Sequence, residues 1–198
     1  MKQQVIVATG NAGKLQEIRE ILAPFDMEVR SMREAGIARE VEETGTTFEE
    51  NAMLKARGIA DLTDGIVIAD DSGLEVDALN KEPGIYSSRY LGTETSYDIK
   101  NADILRRLEG VPEEKRTARF VCAVAVILPD DHSFVVRGEM EGRIGYEIIG
   151  ENGFGYDPIF YLPEYGMTSA QISPEEKNRI SHRGKALAKM VEKLREML

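Results

Sequence analysis

The chain has little of what marks a secreted, membrane-spanning or disulfide-stabilised protein. It contains one cysteine in 198 residues, Cys122, which lies in an apolar segment and has no partner for an intrachain disulfide. Its longest apolar run, Phe120–Leu128, is well short of the roughly 20 residues that a membrane-spanning helix requires. The first residues read as a strand and carry no signal-peptide pattern. We therefore expect a cytoplasmic protein in which Cys122 is a buried core residue.

Basic residues are also scarce. The chain has 25 Lys and Arg residues against 35 Asp and Glu residues, which gives a formal net charge of −10. Binding to a DNA or RNA backbone requires a basic surface, so we expect no nucleic-acid polymer as a partner. Any phosphate that the protein binds should lie in a small pocket that is locally basic.

The pattern of apolar residues predicts an α/β fold with strands in mixed directions. No linker, repeat or low-complexity segment divides the chain, so we expect a single domain over residues 1–198. Four helices are predicted: one after Gly13, one from the Thr47 capping box to about Asp61, one along Ile99, Ala102, Leu105 and Leu108, and one from Ser173 to the C-terminus. In the last helix, the residues expected in the core are Leu187, Met190, Val191, Leu194 and Leu198. Strands are predicted at residues 3–9, 27–31, 66–69, 74–76, 118–128 and 133–140.

Two adjacent carboxylates, Asp70 and Asp71, follow the apolar run Ile66–Ala69 and precede Ser72 and Gly73. A buried strand that ends in two acids can deliver them to a ligand site, where a divalent cation would offset their repulsion. The same four residues are also good turn formers. By themselves these residues leave a metal site and a solvated turn equally open.

The segment Thr9–Lys14, with sequence Thr-Gly-Asn-Ala-Gly-Lys, lies between the first strand and the first helix. Its backbone N–H groups and Lys14 could bind a phosphate at the helix N-terminus. The glycine spacing of a P-loop is absent, and Leu15 occupies the position of its Ser or Thr. A tight turn with an incidental lysine is the alternative at this point.

The loop that precedes the second helix contributes further acids. Either Glu42 or Glu43 could complete a Mg2+ site with Asp70 or Asp71, because Mg2+ typically takes one or two carboxylates. Lys55 would lie on the helix that follows. Glu49 and Glu50 suit the helix dipole and its cap.

Aromatic and cationic residues are concentrated toward the C-terminus. The loop Asn152–Pro158 places Phe154 and Tyr156 beside glycines, which suits stacking of an exposed ring on a heterocyclic base. A plug that covers the core is the alternative, and it fits Tyr156 better than Phe154. The cationic residues that could bind the base, a ribose or a phosphate are Lys177, His182, Arg183 and Lys185.

Taken together, these motifs resemble the inosine triphosphate pyrophosphatase family, also called XTP/dITP diphosphatases. The matching segments are Thr9–Lys14, Glu42–Gly45 with Phe48 and Glu50–Ala52, Asp70–Gly73, Pro83–Tyr86 with Arg89 and Tyr90, Gly153–Pro158 and Ser181–Gly184. Asn152 stands where many relatives have a glycine, and Ser88 where alanine is common; neither change alters a proposed functional group.

The resemblance implies an elongated two-lobed fold with a long twisted mixed β-sheet, flanking helices and a central substrate cleft, usually as a homodimer. It implies that Asp71 binds Mg2+ and acts as the general base and that Glu43 helps to bind the metal. The substrate would be bound by Thr9, Gly10, Asn11, Ala12, Gly13, Lys14, Ser72, Phe154, Gly155, Tyr156, Asp157, Lys177, His182 and Arg183, with Phe154 stacked on the purine.

The implied activity is hydrolysis of deaminated purine nucleoside triphosphates, namely ITP, dITP and XTP, to the monophosphate and pyrophosphate. We expect Mg2+-assisted attack of a water, oriented and deprotonated by Asp71, on the α-phosphorus. Two alternatives remain: a module that senses a nucleotide without cleaving it, and a pyrophosphatase for other modified nucleotides.

Overall fold

A computed structural model describes residues 2–198, which form seven strands and five α-helices. The strands are β1 (Gln3–Val7), β2 (Met27–Ser31), β3 (Ile66–Val76), β4 (Thr117–Ile127), β5 (Ser133–Ile144), β6 (Phe160–Leu162) and β7 (Met167–Thr168). The helices are α1 (Ala12–Leu22), α2 (Phe48–Ala60), α3 (Tyr97–Arg107), α4 (Pro174–Ile180) and α5 (His182–Met197). Within this described part of the chain, every helix is too short or too polar to cross a membrane.

All seven strands belong to one sheet of order β2-β1-β3-β4-β5-β6-β7. β1 pairs in parallel with β2 and with β3, whereas β6 pairs antiparallel with β5 and with β7. The expectation of an α/β fold with a mixed sheet is therefore confirmed.

The chain divides into two compact units, each with its own hydrophobic core. The first unit comprises residues 1–71, 122–138 and 182–198, and the second comprises residues 72–121 and 139–181. In the first unit, apolar residues of β1, β3 and β4 pack with α1 and α5, and Cys122 is fully buried among them, as expected. In the second unit, the later part of β3 and the first part of β4 pack with α3 and β6.

The acidic segment of β3 differs from its prediction. β3 runs without interruption from Ile66 to Val76, so the two short strands expected at residues 66–69 and 74–76 are one strand. Asp70 and Asp71 are buried inside it, and the interpretation of residues 70–73 as a solvated turn is wrong. Burial and pairing within the sheet outweigh the local turn preference of Asp, Ser and Gly.

Two helix predictions also need correction. The single helix expected after Ser173 is divided at Ser181, whose extended backbone (φ −68°, ψ 158°) separates α4 from α5. Leu198, expected in the core, is 67% exposed. In α3 the predicted apolar face is correct at Leu105 and Leu108, which pack in the core of the second unit, but wrong at Ile99. Ile99 is 57% exposed, while its polar neighbours Lys100 and Asn101 are buried.

Candidate active site

The loop after β1 holds its own shape through side-chain hydrogen bonds. Asn11 N donates to Thr9 Oγ1 at 3.1 Å, and Lys14 N donates to Asn11 Oδ1 at 3.0 Å, so Asn11 is the N-cap of α1. Ala12 and Gly13 lie in the first turn of α1, where backbone N–H groups have no intrahelical acceptor. Oriented N–H groups at a helix N-terminus form a site that can bind an anion.

Successive residues of a strand point to opposite faces of the sheet, and this separates Asp70 from Asp71. Asp70 lies on the same face as Ile66 and Ile68, which pack with α1 and α5. Asp71 lies on the other face, where Lys55 of α2 reaches it. Two adjacent acids in the sequence therefore occupy separate environments.

Asp70 is surrounded by cations. Its Oδ2 atom lies 3.2 Å from Lys14 Nζ and 3.5 Å from Arg183 Nη2, and Arg183 also forms an ion pair with Glu17 of α1. Burial alone would raise the pKa of Asp70, but the charges of Lys14 and Arg183 outweigh it and hold that pKa well below its usual range. Asp70 is therefore an ionised counter-charge at neutral pH.

On the opposite face, two carboxylates converge on one ammonium group. Lys55 Nζ lies 3.4 Å from Glu43 Oε1 and 3.8 Å from Asp71 Oδ1, and it donates to the backbone oxygen of Asp70 at 2.5 Å. Burial of Asp71, partly offset by the charge of Lys55, raises its pKa to about 6. A carboxylate with that pKa can accept a proton from water near neutral pH more readily than an ordinary aspartate.

The pair Glu43 and Asp71 fits a Mg2+ ion. Asp71 Oδ2 is buried and has no hydrogen-bond partner among the described residues, so it retains capacity for a ligand. Within residues 2–198 no three His, Cys, Asp or Glu side chains group closely enough to hold a metal by themselves. Two carboxylates are nevertheless the usual protein contribution to Mg2+, since waters and substrate phosphates complete its shell. Glu42, the alternative to Glu43, is exposed to solvent.

The loop that contains Glu43 is fixed to the start of α2. Gly45 N donates to Asn51 Oδ1 at 2.8 Å, and Thr46 N donates to Glu50 Oε2 at 2.6 Å. Thr47 is the N-cap of α2, and its Oγ1 accepts from Glu50 N, which confirms the predicted cap; the Glu50 carboxylate accepts from Thr46 N, one residue before the N-cap. A Cβ atom at Gly45 would lie 2.7 Å from Asn51 Oδ1, so only glycine fits this position without a shift.

In the second unit, Asp157 organises the loop Asn152–Pro158, which we call the aromatic loop. Its Oδ2 atom accepts from Phe154 N at 3.0 Å and from Lys177 Nζ at 2.6 Å, while its Oδ1 accepts from Ser169 Oγ at 2.7 Å. Lys177 Nζ also lies 5.1 Å from the centre of the Phe154 ring. Three of the predicted base-binding residues, Phe154, Asp157 and Lys177, are thus brought together.

The other aromatic residue of the loop faces the core. Tyr156 is buried, donates through its hydroxyl to Ser87 O at 2.5 Å and packs edge-on against Tyr97. Phe154 is only half-buried. The interpretation of Tyr156 as the core plug is therefore confirmed.

The residues of the predicted cationic cluster belong to different units. Lys177 belongs to the second unit, whereas His182 and Arg183 open α5 in the first unit. Arg183 is 2% exposed and contacts Glu17 and Asp70, so its predicted contact with a base stays a prediction.

Sequence reasoning missed several partners of these groups, namely Glu17, Asn51, Asn101 and Ser169. No spacing rule marks Glu17, Asn101 or Ser169. Asn51 could have been found, because it directly follows the Glu50 of the capping box.

The comparisons with known proteins identify the family of the chain. The model for the Ham1 family matches residues 5–193. A "dITP/XTP pyrophosphatase" of Bacillus anthracis is 53% identical over 197 residues, which cover 98% of this chain and 97% of that protein. The protein of the same name from Listeria innocua serovar 6a is 48% identical over 195 residues, which cover 98% of this chain and 96% of that protein.

Solved structures show the same likeness. The Ham1 protein of Staphylococcus aureus is 42% identical and superimposes with a TM-score of 0.87, covering 99% of this chain and all of that one. A nucleoside-triphosphatase described as a dITP/XTP pyrophosphatase, from Mycobacterium abscessus, is 41% identical with a TM-score of 0.76. That match covers 95% of this chain and 98% of the other.

Proposed function

Because the chain belongs to the Ham1 family, we propose that it is a dITP/XTP pyrophosphatase that cleaves deaminated purine nucleoside triphosphates to the monophosphate and pyrophosphate. Cleavage would remove these nucleotides from the pool and so prevent their incorporation into DNA and RNA. The convergence of Glu43 and Asp71 on Lys55 carries the proposal, because a protein that only binds a polyanion gains little from buried carboxylates.

In this proposal the first unit binds the triphosphate. The N–H groups of Ala12 and Gly13 and the ammonium of Lys14 receive phosphate oxygens. Glu43 and Asp71 would hold Mg2+, which when bound neutralises phosphate charge. Asp71 orients a water toward the α-phosphorus and accepts its proton, a role that suits a carboxyl whose pKa lies near 6.

The loop of the second unit would bind the base, with Phe154 stacked on the purine and Lys177 and Asp157 at its edge. Selectivity against adenine would come from donors that meet a 6-oxo group, since a 6-amino group would leave them unpaired. Ser72, His182 and Arg183 complete the predicted substrate contacts, whereas Tyr156, whose side chain is the core plug, would contribute only its backbone to the pocket. Assembly as a homodimer, which follows from the same resemblance, and a cytoplasmic location, which follows from the cysteine content, are also part of the proposal.

Product analysis tests the function directly. The purified protein is incubated with ITP, dITP, XTP, GTP and ATP, with Mg2+ and with EDTA, and the products are separated. Pyrophosphate released from ITP, dITP and XTP only with Mg2+ supports the proposal. Release of orthophosphate, equal turnover of ATP, or binding without cleavage would refute it, and the last would favour a nucleotide sensor.

A further inference from the structure

Helix α3 buries a polar side chain beneath the aromatic loop. Asn101 is 1% exposed, and its Nδ2 donates to the backbone oxygen of Gly155 at 3.1 Å. Its Oδ1 is buried without a hydrogen-bond partner among the described residues. A buried amide that uses only its donor is unfavourable for stability alone, because an unpaired buried acceptor costs free energy.

The bond from Asn101 fixes one end of a two-residue segment whose other end is fixed by Asp157. Asp157 Oδ2 accepts from Phe154 N, and Asn101 Nδ2 donates to Gly155 O, so the peptide groups on both sides of Phe154–Gly155 are held. Gly153 and Gly155 both have positive φ, at 71° and 67°. Because glycine has the widest backbone freedom, a ring between two glycines is oriented only if such bonds hold the backbone.

We propose that Asn101 is a positioning residue that sets the orientation of the Phe154 ring through the backbone of Gly155, and thereby the affinity for the nucleotide base. This inference rests on the proposed function, in which Phe154 stacks on the purine. Asn101 itself touches neither the base nor the phosphates; its effect passes through the two-residue segment.

The mode of action gives a distinct kinetic signature. A stacking ring contacts the base equally in the ground state and in the transition state, so its loss raises KM and leaves kcat nearly unchanged. Every purine offers a π-face, so the effect should be the same for ITP, XTP and any GTP turnover. A loss of fold stability would instead lower the active fraction and hence the apparent kcat.

Two substitutions remove the N–H donor of Asn101, one with an apolar and one with a charged replacement. Asn101→Leu replaces the amide by an apolar group of similar size, and Asn101→Asp keeps an acceptor but cannot donate when ionised. We expect both to raise KM for ITP and the Kd for inosine monophosphate, measured by calorimetry, by about three- to tenfold, the usual worth of one hydrogen bond. Lys100→Met is the matched control, because Lys100 is equally buried on α3 but donates to Ser88 O at 2.8 Å.

The decisive measurement is a double-mutant cycle with Phe154→Ala. If Asn101 acts through the ring, Asn101→Leu has no further effect on KM once Phe154 is removed. Three results would overturn the inference. They are an unchanged KM in both Asn101 variants, a change in KM equal to that caused by Lys100→Met, or an effect of Asn101→Leu on KM that persists in the Phe154→Ala background. A wild-type protein that does not cleave ITP would refute the proposed function instead, whereas wild-type turnover with unaffected Asn101 variants refutes only this inference.

Discussion

Lys177 and Asp157 form a buried ion pair, with Lys177 Nζ 2.6 Å from Asp157 Oδ2 and neither side chain more than 6% exposed. Asp157 in turn holds Phe154 N and Ser169 Oγ. The pair therefore organises the aromatic loop as well as carrying charge.

Removal of Lys177 should be costly for the fold. In Lys177→Met the Asp157 carboxylate stays buried without its cation, which we expect to lower the free energy of unfolding by about 3–5 kcal/mol. Urea unfolding followed by circular dichroism measures the change. Arg106→Met, which removes an exposed ion pair with Asp103, is the control and should change stability little. Equal effects of the two substitutions would contradict the prediction.

Asp71→Asn should separate activity from stability. The amide cannot accept the proton of the attacking water, so we expect kcat to fall at least about 100-fold. Burial raises the pKa of Asp71 to about 6, and an acid whose pKa rises on folding destabilises the folded state above that pH. At pH 8 in EDTA, the neutral amide should therefore raise the unfolding midpoint by about 6–12 °C.

The matched control for this substitution is Asp64→Asn, which neutralises an exposed acid just before β3. Neither kcat nor the unfolding midpoint should change in it. An Asp71→Asn protein that retained most of its turnover would remove Asp71 from the role of base.

Asn51 should support the metal through the loop that carries Glu43. Asn51→Leu removes the acceptor for Gly45 N and frees that loop from α2. Loss of a group that orients a ligand typically weakens metal affinity about 10- to 100-fold. The measurement is the Mg2+ concentration needed for half of the metal-dependent rise in the unfolding midpoint.

Two further variants make the Mg2+ measurement specific. Glu43→Gln should raise the required Mg2+ concentration at least as much as Asn51→Leu. Glu49→Gln breaks an ion pair between α2 and Arg137 at 3.0 Å and should leave the Mg2+ requirement unchanged. A shift with Glu49→Gln as large as that with Asn51→Leu would point to a general loosening of α2.

Cys122 should be inert in the folded protein. The thiol is fully buried, and burial raises its pKa to about 12, so the reactive thiolate is scarce at pH 8. With a disulfide reagent such as DTNB we expect no fast reaction in buffer and one thiol per chain in 8 M urea. Rapid labelling of the native protein would show that β4 opens readily.

The sequence predicts correctly those elements that are determined by residues close together in the chain, such as helix caps and short apolar strands. Thr47 caps α2 as predicted, and β2 has the predicted bounds Met27–Ser31. The continuity of β3 could not be read in this way, because Asp-Asp-Ser-Gly favours a turn until neighbouring strands and cations surround it. Only the fold supplies Lys14 and Arg183 as partners of Asp70.

The error in α3 has a similar cause. Helical periodicity selects the apolar residue Ile99, but the helix turns Lys100 and Asn101 inward, where backbone oxygens of Ser88 and Gly155 accept their hydrogen bonds. Those acceptors lie far away in the sequence, 54 residues in the case of Gly155. A buried polar face of this kind has no signature in hydrophobicity alone.

The unbroken course of β3 makes the spacing of its residues as important as their identity. Side chains alternate along a strand, so deletion or insertion of one residue between Ile66 and Asp70 would exchange the faces on which Asp70 and Asp71 lie. Asp70 would then face Lys55, and Asp71, the proposed general base, would face Lys14 and Arg183. A change of length is therefore not tolerable in this segment, where one residue more or less would change the partners of both carboxylates at once.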